Sequence, residues 1–166
     1  MDHRNWMGVL AVAIGLMMVV LITDRYPPSA NAMTAHGSER KSMVTVPLDA
    51  GMEAVVTLDH RTGDLAGYVL NRTSGQFFVQ YRYNVTQDFP RTKGNYLMGA
   101  GLADFRGFQG NERLATGVIY IAEENSTQVA AYAIPWNTQL AVSGAQPQQR
   151  NFIPLDRAQT RFTNLR

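Results

Sequence analysis

Asp59, His60 and Asp64 lie close together in the stretch LDHRTGDLAGYVLN, residues 58–71, around a Thr62–Gly63 pair. Two carboxylates beside an imidazole are the ingredients of acid–base chemistry or of a metal site. The same residues also make a hairpin tip: Gly63 supplies a positive φ, and an Asp side chain caps the turn backbone. A calcium loop needs an Asp-x-Asp/Asn-x-Asp/Asn-Gly series, which is missing. The expectation is a turn.

Other chemistry is sparse. Of the histidines His3, His36 and His60, only His60 falls on the part of the chain expected to fold. The sequence has no cysteine. That excludes disulfides, thiolate metal sites, iron–sulfur clusters and a cysteine nucleophile. A Ser–His–Asp triad would join His60 to Ser74, Ser126 or Ser143, none of which stands in a G-x-S-x-G setting. Glu123 and Glu124 are neighbours, and neighbours on a strand point to opposite faces, so a solvated strand end is expected there. A carboxylate pair assembled from distant strands stays open as an enzyme reading. Gly99-x-Gly101 lacks the third glycine of a dinucleotide loop and is followed by no Gly-Lys-Ser/Thr, so the glycines of 98–111 are read as a bulge or tight loop. No catalytic set, cofactor or metal is expected.

The stretch FFVQYRYNVT, residues 77–86, alternates, with Phe77, Val79, Tyr81, Tyr83 and Val85 on one side and Phe78, Gln80, Arg82, Asn84 and Thr86 on the other. Turned inward, the aromatic set is core, the expectation for a domain this small. Turned outward, Phe77, Tyr81, Arg82 and Tyr83 form a candidate surface for a sugar, another small ligand or a partner.

The elements that would position these residues follow from composition and patterning. At 166 residues, 45% hydrophobic and 17% charged, the chain is of single-domain length. The formal charge of +2 comes from basic residues scattered along the chain, with no run longer than Arg40-Lys41, so no nucleic-acid partner is indicated. Residues 7–22, MGVLAVAIGLMMVVLI, carry no charge and no polar face. The segment 7–23, with Met7, Leu10, Ile14, Leu16, Val19 and Leu21 along it, is therefore read as a transmembrane anchor or signal helix. At 1.5 Å per residue it spans roughly 25 Å, short for a bilayer and long for a signal core. Ala30-Asn31-Ala32 fits a cleavage site, so anchor and cleaved signal both stand. Either way the rest of the chain is expected outside the cytoplasm, in the cell envelope.

Residues 24–42 read as a flexible linker, and 43–138 as an all-β domain. Strands are expected at 43–48, 53–59, 65–71, 77–86, 117–124 and 128–136; YLMGAGLADF, 96–105, is the one place for a turn or two of helix. Residues 54–73 align with 117–138, placing Val55-Val56 on Val118-Ile119, Leu58 on Ile121, Leu65 on Val129 and Tyr68 on Tyr132. The period of about 63 residues suggests a duplicated hairpin. The fold expected is a small antiparallel sandwich, a barrel, or two blade-like sheets. The pattern Leu58-Asp59-x-x-Thr62-Gly63-x-Leu65, closing at Tyr68, resembles the outer hairpin of quinoprotein-type β-propeller blades; that resemblance implies a ring completed by several chains. Residues 139–166 are polar, with an edge strand expected at 151–155. Sequons stand at Asn71, Asn84 and Asn125, each in or near a turn, and their glycosylation would need a eukaryotic secretory route. The function expected is a non-enzymatic interaction or assembly module, membrane-bound through 7–23 and contacting an envelope protein or its own copies. The alternative is a carbohydrate- or small-ligand-binding module on 77–83.

Overall fold

Every second side chain of EAVVTLD is apolar and small enough to pack. In the computed structural model of the protein Ala54, Val56 and Leu58 are fully buried while Val55 and Thr57 face outward. The structure describes residues 35–49, 51–89, 95–105, 113–137 and 148–160, all within the unit Met33–Arg166. The segment 7–23 and the linker residues before Ala35 lie outside the described residues.

That strand follows β1 (Ala35–Gly37) and β2 (Lys41–Pro47) as β3 (Glu53–Asp59) and is succeeded by β4 (Asp64–Leu70) and β5 (Phe77–Asn84), with the same period of two in β2 and β4. After a single 3-10 turn at Val85–Gln87 come β6 (Tyr96–Leu102), β7 (Leu114–Glu123), β8 (Gln128–Pro135), β9 (Gln148–Asn151) and β10 (Ile153–Gln159). The chain is all-β here, in two sheets. One has six strands in the order β1-β2-β3-β4-β5-β9, and the other has four in the order β10-β8-β7-β6. All neighbours are antiparallel except β5 and β9, which run parallel. Among the described residues no ladder joins the sheets into a barrel. Their inner faces share one core, to which Val44, Val56, Leu58, Tyr81, Ile119, Ile121, Tyr132 and Trp136 all contribute.

Four expectations are corrected. Ordered strand begins at Ala35 and again at Lys41, inside the stretch 24–42 read as linker, because β1 pairs with β2 and Lys41–Ser42 pairs with Leu58–Asp59. Residues 96–105 hold a strand, β6, since pairing with β7 outweighs a local pattern that also suits a helical turn. The polar tail supplies two edge strands where one was expected at 151–155: β9 borders the six-stranded sheet and β10 the four-stranded one. Between them Phe152 is buried where the chain passes from one sheet to the other.

The fourth correction concerns β5. Val79 pairs with Val69, but Phe77 pairs with Leu70, so Phe78 is an extra residue in the ladder. It turns into the core against Trp136, ring centroids 6.5 Å apart, while Phe77 is 56% exposed on the outer face. The expected alternation holds from Val79 onward and is broken before it.

The aligned stretches 54–73 and 117–138 are the hairpins β3–β4 and β7–β8, in different sheets. Val56 and Ile119, like Leu58 and Ile121, are buried in their first strands. In the second strands Leu65 faces the core where Val129 faces out, and Tyr132 is buried where Tyr68 faces out.

Candidate functional site

The opening cluster does not converge. Asp59 closes the β3–β4 turn, its Oδ1 accepting from the N–H groups of Arg61 and Thr62 at 3.0 and 3.2 Å, and Gly63 takes φ 71°. The Thr62 N–H, aided by that of Arg61 and the charges of Lys41 and Arg61, holds the Asp59 carboxyl below its usual range. Asp64 accepts from the Asn84 amide at 2.9 Å, and that amide also donates to the Thr62 carbonyl at 3.0 Å. Both acids serve the turn. The other sequon asparagines act likewise: Asn71 Oδ1 accepts from the N–H groups of Thr73 and Ser74, and Asn125 donates to Glu123.

His60 turns the other way, into the protein, and is only 8% exposed. Its Nε2 is hydrogen-bonded to the Ser42 hydroxyl at 2.7 Å, and its ring meets Tyr96 edge-on, centroids 6.1 Å apart. Ser42 was missed by sequence reasoning, which offered Ser74, Ser126 and Ser143. Ser74 and Ser126 sit in turns, and Ser143 lies outside the described residues. Ser42 reaches His60 because it pairs with Leu58 across the β2–β3 ladder, placing both side chains on the inner face. His60 also lines a concavity of about 590 Å³ with Glu39, Asn95, Tyr96, Leu97 and Glu124, but Ser42 stands behind the ring and not on that wall. A serine so placed orients the imidazole and does not present a nucleophile to the concavity.

Glu123 and Glu124 point apart, as strand alternation requires, but Glu123 is buried, contrary to the expected solvated end. Its Oε2 accepts from the Ser126 N–H at 2.5 Å and its Oε1 from the Asn125 amide at 3.1 Å, so it caps the β7–β8 turn from inside. Glu124 is exposed and accepts from Asn95 at 2.8 Å.

The candidate surface Phe77, Tyr81, Arg82 and Tyr83 is divided by the fold. Tyr81 is fully buried and donates its hydroxyl to the Pro135 carbonyl at 2.7 Å. Tyr83 faces inward at the rim of the core and packs on Tyr132, centroids 5.3 Å apart. Phe77 and Arg82 face out, on the same side as Tyr68 and Gln80. A second concavity, of about 670 Å³, opens there over Ala66, walled by Asp64, Tyr68, Gln80, Arg82 and Asn151.

Near the rim, the Tyr132 hydroxyl donates to Asp88 Oδ2 at 2.8 Å, and Arg157 approaches the other Asp88 oxygen at 3.9 Å. Burial, then the bond to Asp88, pushes the Tyr132 phenol well above its ordinary range. A phenol raised in the folded state stabilises the fold below its unfolded value near ~10, and that stabilisation drains away as pH rises further. Tyr132→Phe is therefore expected to cost about 1–2 kcal/mol at neutral pH through the lost hydrogen bond. It should also flatten the loss of stability above pH ~10 relative to the wild type. Urea titrations at neutral and alkaline pH check both; an unchanged alkaline slope would remove the buried phenol as its cause.

Among the described residues no group of three His, Cys, Asp or Glu side chains could hold a metal ion, and no helix is long and apolar enough to cross a membrane. No protein-family model matches this chain, nor does any curated protein or solved structure.

Proposed function

We propose that this is an exported, membrane-tethered β module that acts without catalysis, by assembling with its own copies through the outer face of the four-stranded sheet. One observation carries the proposal. Two rows of outward positions cross that sheet: Gly99–Tyr120–Ala131–Asp156 and Leu97–Ala122–Val129–Ala158. Asp156, on the edge strand, is the single charge among them. Leu97 and Tyr120 are 69% and 43% exposed.

The patch is self-complementary in shape. The Tyr120 ring lies over Gly101 and stays 43% exposed, while its ladder partner Gly99 leaves open space where a side chain would stand. A two-fold axis brings the exposed side of the Tyr120 ring of one copy over the open Gly99 position of the other, the isologous arrangement of most homodimers. At strand spacings of about 4.8 Å and a rise of about 3.3 Å per residue, two rows over four strands cover roughly 250 Å². That is well below the roughly 800 Å² per partner of a stable complex, so the contact is weak in free solution. Tethering through 7–23 supplies what is missing, because confinement raises the effective concentration of one copy near another. The apolar run and the open sheet face thus support one function together.

The absence of native cysteine makes the test clean. Tyr120→Cys or Leu97→Cys, produced in its own cells and mildly oxidised, is expected to yield a disulfide-linked dimer in the membrane fraction. Glu53→Cys, exposed on the six-stranded sheet, is expected to yield far less. Adding Ala131→Arg should reduce the crosslink of the Tyr120→Cys variant about tenfold, since two copies would then bury like charges. Equal crosslinking from all three positions, or none from the first two, would reject the proposal.

A further inference from the structure

We propose that the concavity over Ala66, on the outer face of the six-stranded sheet, binds a pyranose bearing a carboxylate. It lies on the opposite sheet from the assembly face and does not depend on it. Ala66 pairs with Arg82, and Arg82 with Asn151, so three strands meet at a small side chain with larger ones rising around it. The resulting volume of about 670 Å³ falls within the roughly 300–1,000 Å³ of small-molecule sites.

Arg82 supplies the charge for the carboxylate. The Gln80 amide, with its oxygen turned to the guanidinium, accepts from Arg82 Nε and Nη2 at 3.3 and 3.2 Å. A neutral partner fixes the fork without neutralising it, and among the described residues Arg82 makes no ion pair. The remaining N–H groups, at the Nη end of the fork, are left to take a carboxylate end-on.

Asp64 decides what the remainder of the ligand must be. Its Oδ1 accepts from Asn84, and Asp64 is part of the concavity wall, where its carboxylate has further acceptor capacity. A bare anion such as phosphate would be drawn to Arg82 and repelled by Asp64. A molecule anionic at one end and rich in hydroxyl donors at the other satisfies both. The Asn151 amide offers a donor and an acceptor to adjacent hydroxyls. Tyr68, tilted against Phe77 with centroids 5.7 Å apart, gives an aromatic wall for the C–H face of a sugar ring. Arg82 therefore belongs to this site, Phe77 reaches it only through its contact with Tyr68, and Tyr81 has no part in it.

The test uses the full-length chain in mild detergent and ligand-observed saturation-transfer NMR, with D-glucuronate, D-glucose and acetate as probes. Glucuronate is expected to bind about tenfold more tightly than glucose, which corresponds to about 1.4 kcal/mol. Acetate at matched concentration should not displace it. Arg82→Met should abolish the glucuronate signal and Arg82→Lys should retain part of it. Arg113→Met, which removes a guanidinium paired with Asp49 elsewhere, should leave it intact. Asp64→Asn should weaken glucuronate while strengthening acetate, a change that a folding defect would not produce. Undiminished binding by a folded Arg82→Met, equal affinity for glucose, displacement by acetate, or no transfer to glucuronate would each overturn the proposal.

Discussion

Phe152→Ala is expected to lower the thermal midpoint by roughly 10–20 °C, corresponding to about 3–5 kcal/mol for a buried phenylalanine in a domain of this size. Phe152 stands between β9 and β10, at the point where the tail leaves one sheet and joins the other. It is 2% exposed, and its ring lies against Tyr81, centroids 5.5 Å apart. Beneath it is Gly67, where a Cβ would come within 2.7 Å of the ring's Cζ. The glycine makes the seat, and it also makes truncation costly, because β4 has no side chain there that could lean into the void. Removing the ring therefore combines lost burial with a cavity that collapses poorly. The Phe152 N–H also donates to the Arg82 carbonyl at 3.2 Å, which holds the corner in place next to the proposed ligand site. A double-mutant cycle sharpens the prediction. Gly67→Ala should destabilise the wild type and be better tolerated in Phe152→Ala, where the colliding atoms are gone. Additive effects in thermal melts, or a loss below about 1 kcal/mol for Phe152→Ala, would mean that the ring does not tie the two sheets together.

How far the fold was legible depends on where each strand draws its stability. The segment 53–59 could be read closely because a half-buried strand alternates, as Ala54, Val56 and Leu58 do. The segment 128–136 could be read because Tyr132 and Ile134 mark its inner face, although Ala133 and Pro135 between and after them are buried as well. The edge strands β1 and β9 are AHG and QQRN, with no apolar alternation at all. They are strands because β2 and β5 present open hydrogen-bonding edges, and nothing local announces that. β6 defeats local reading for another reason: Gly99, Ala100 and Gly101 have little strand preference, and pairing with β7 decides the matter. The bulge at Phe78 is likewise set by the neighbouring strand, so Phe77 could not be assigned a face from 77–86 alone. The sites were less legible still. Asp59 and Gly63 were readable as a turn because a turn is local. Ser42 behind His60, and Asn151 beside Arg82, are neighbours only through the register of separate strands. Glu123 looked solvated because a pair of glutamates at a strand end usually is, whereas its burial depends on the N–H of Ser126 waiting to be capped.

Gly117→Val is expected to cost at least about 3 kcal/mol, at the upper end of what overpacking does in protein cores. Gly117 is on the inner face of β7, directly beneath the other sheet. A Cβ built there would overlap the carbonyl oxygen of Pro47 and Val46 Cγ1. The collision with Val46 alone could be eased by a small side-chain shift. That with the Pro47 carbonyl cannot, because it belongs to the backbone of β2, and β2 is paired with β3 along its whole length, Pro47 to Glu53 included. To make room, β2 must retreat from β7 and take Val44 and Val46, both buried, away from the shared core. The penalty is therefore backbone displacement across the interface between the sheets, and it grows with side-chain size: Gly117→Ala should already destabilise measurably, and Gly117→Val considerably more. Hydrogen exchange separates this from a loss of β7 itself. The amides of β2 should lose protection first in Gly117→Ala, because that is the strand pushed outward. A Gly117→Val protein that melts within a few degrees of the wild type would show that β2 and β7 do not approach as closely as the backbone places them. The inner faces of the two sheets would then be farther apart than a single shared core requires.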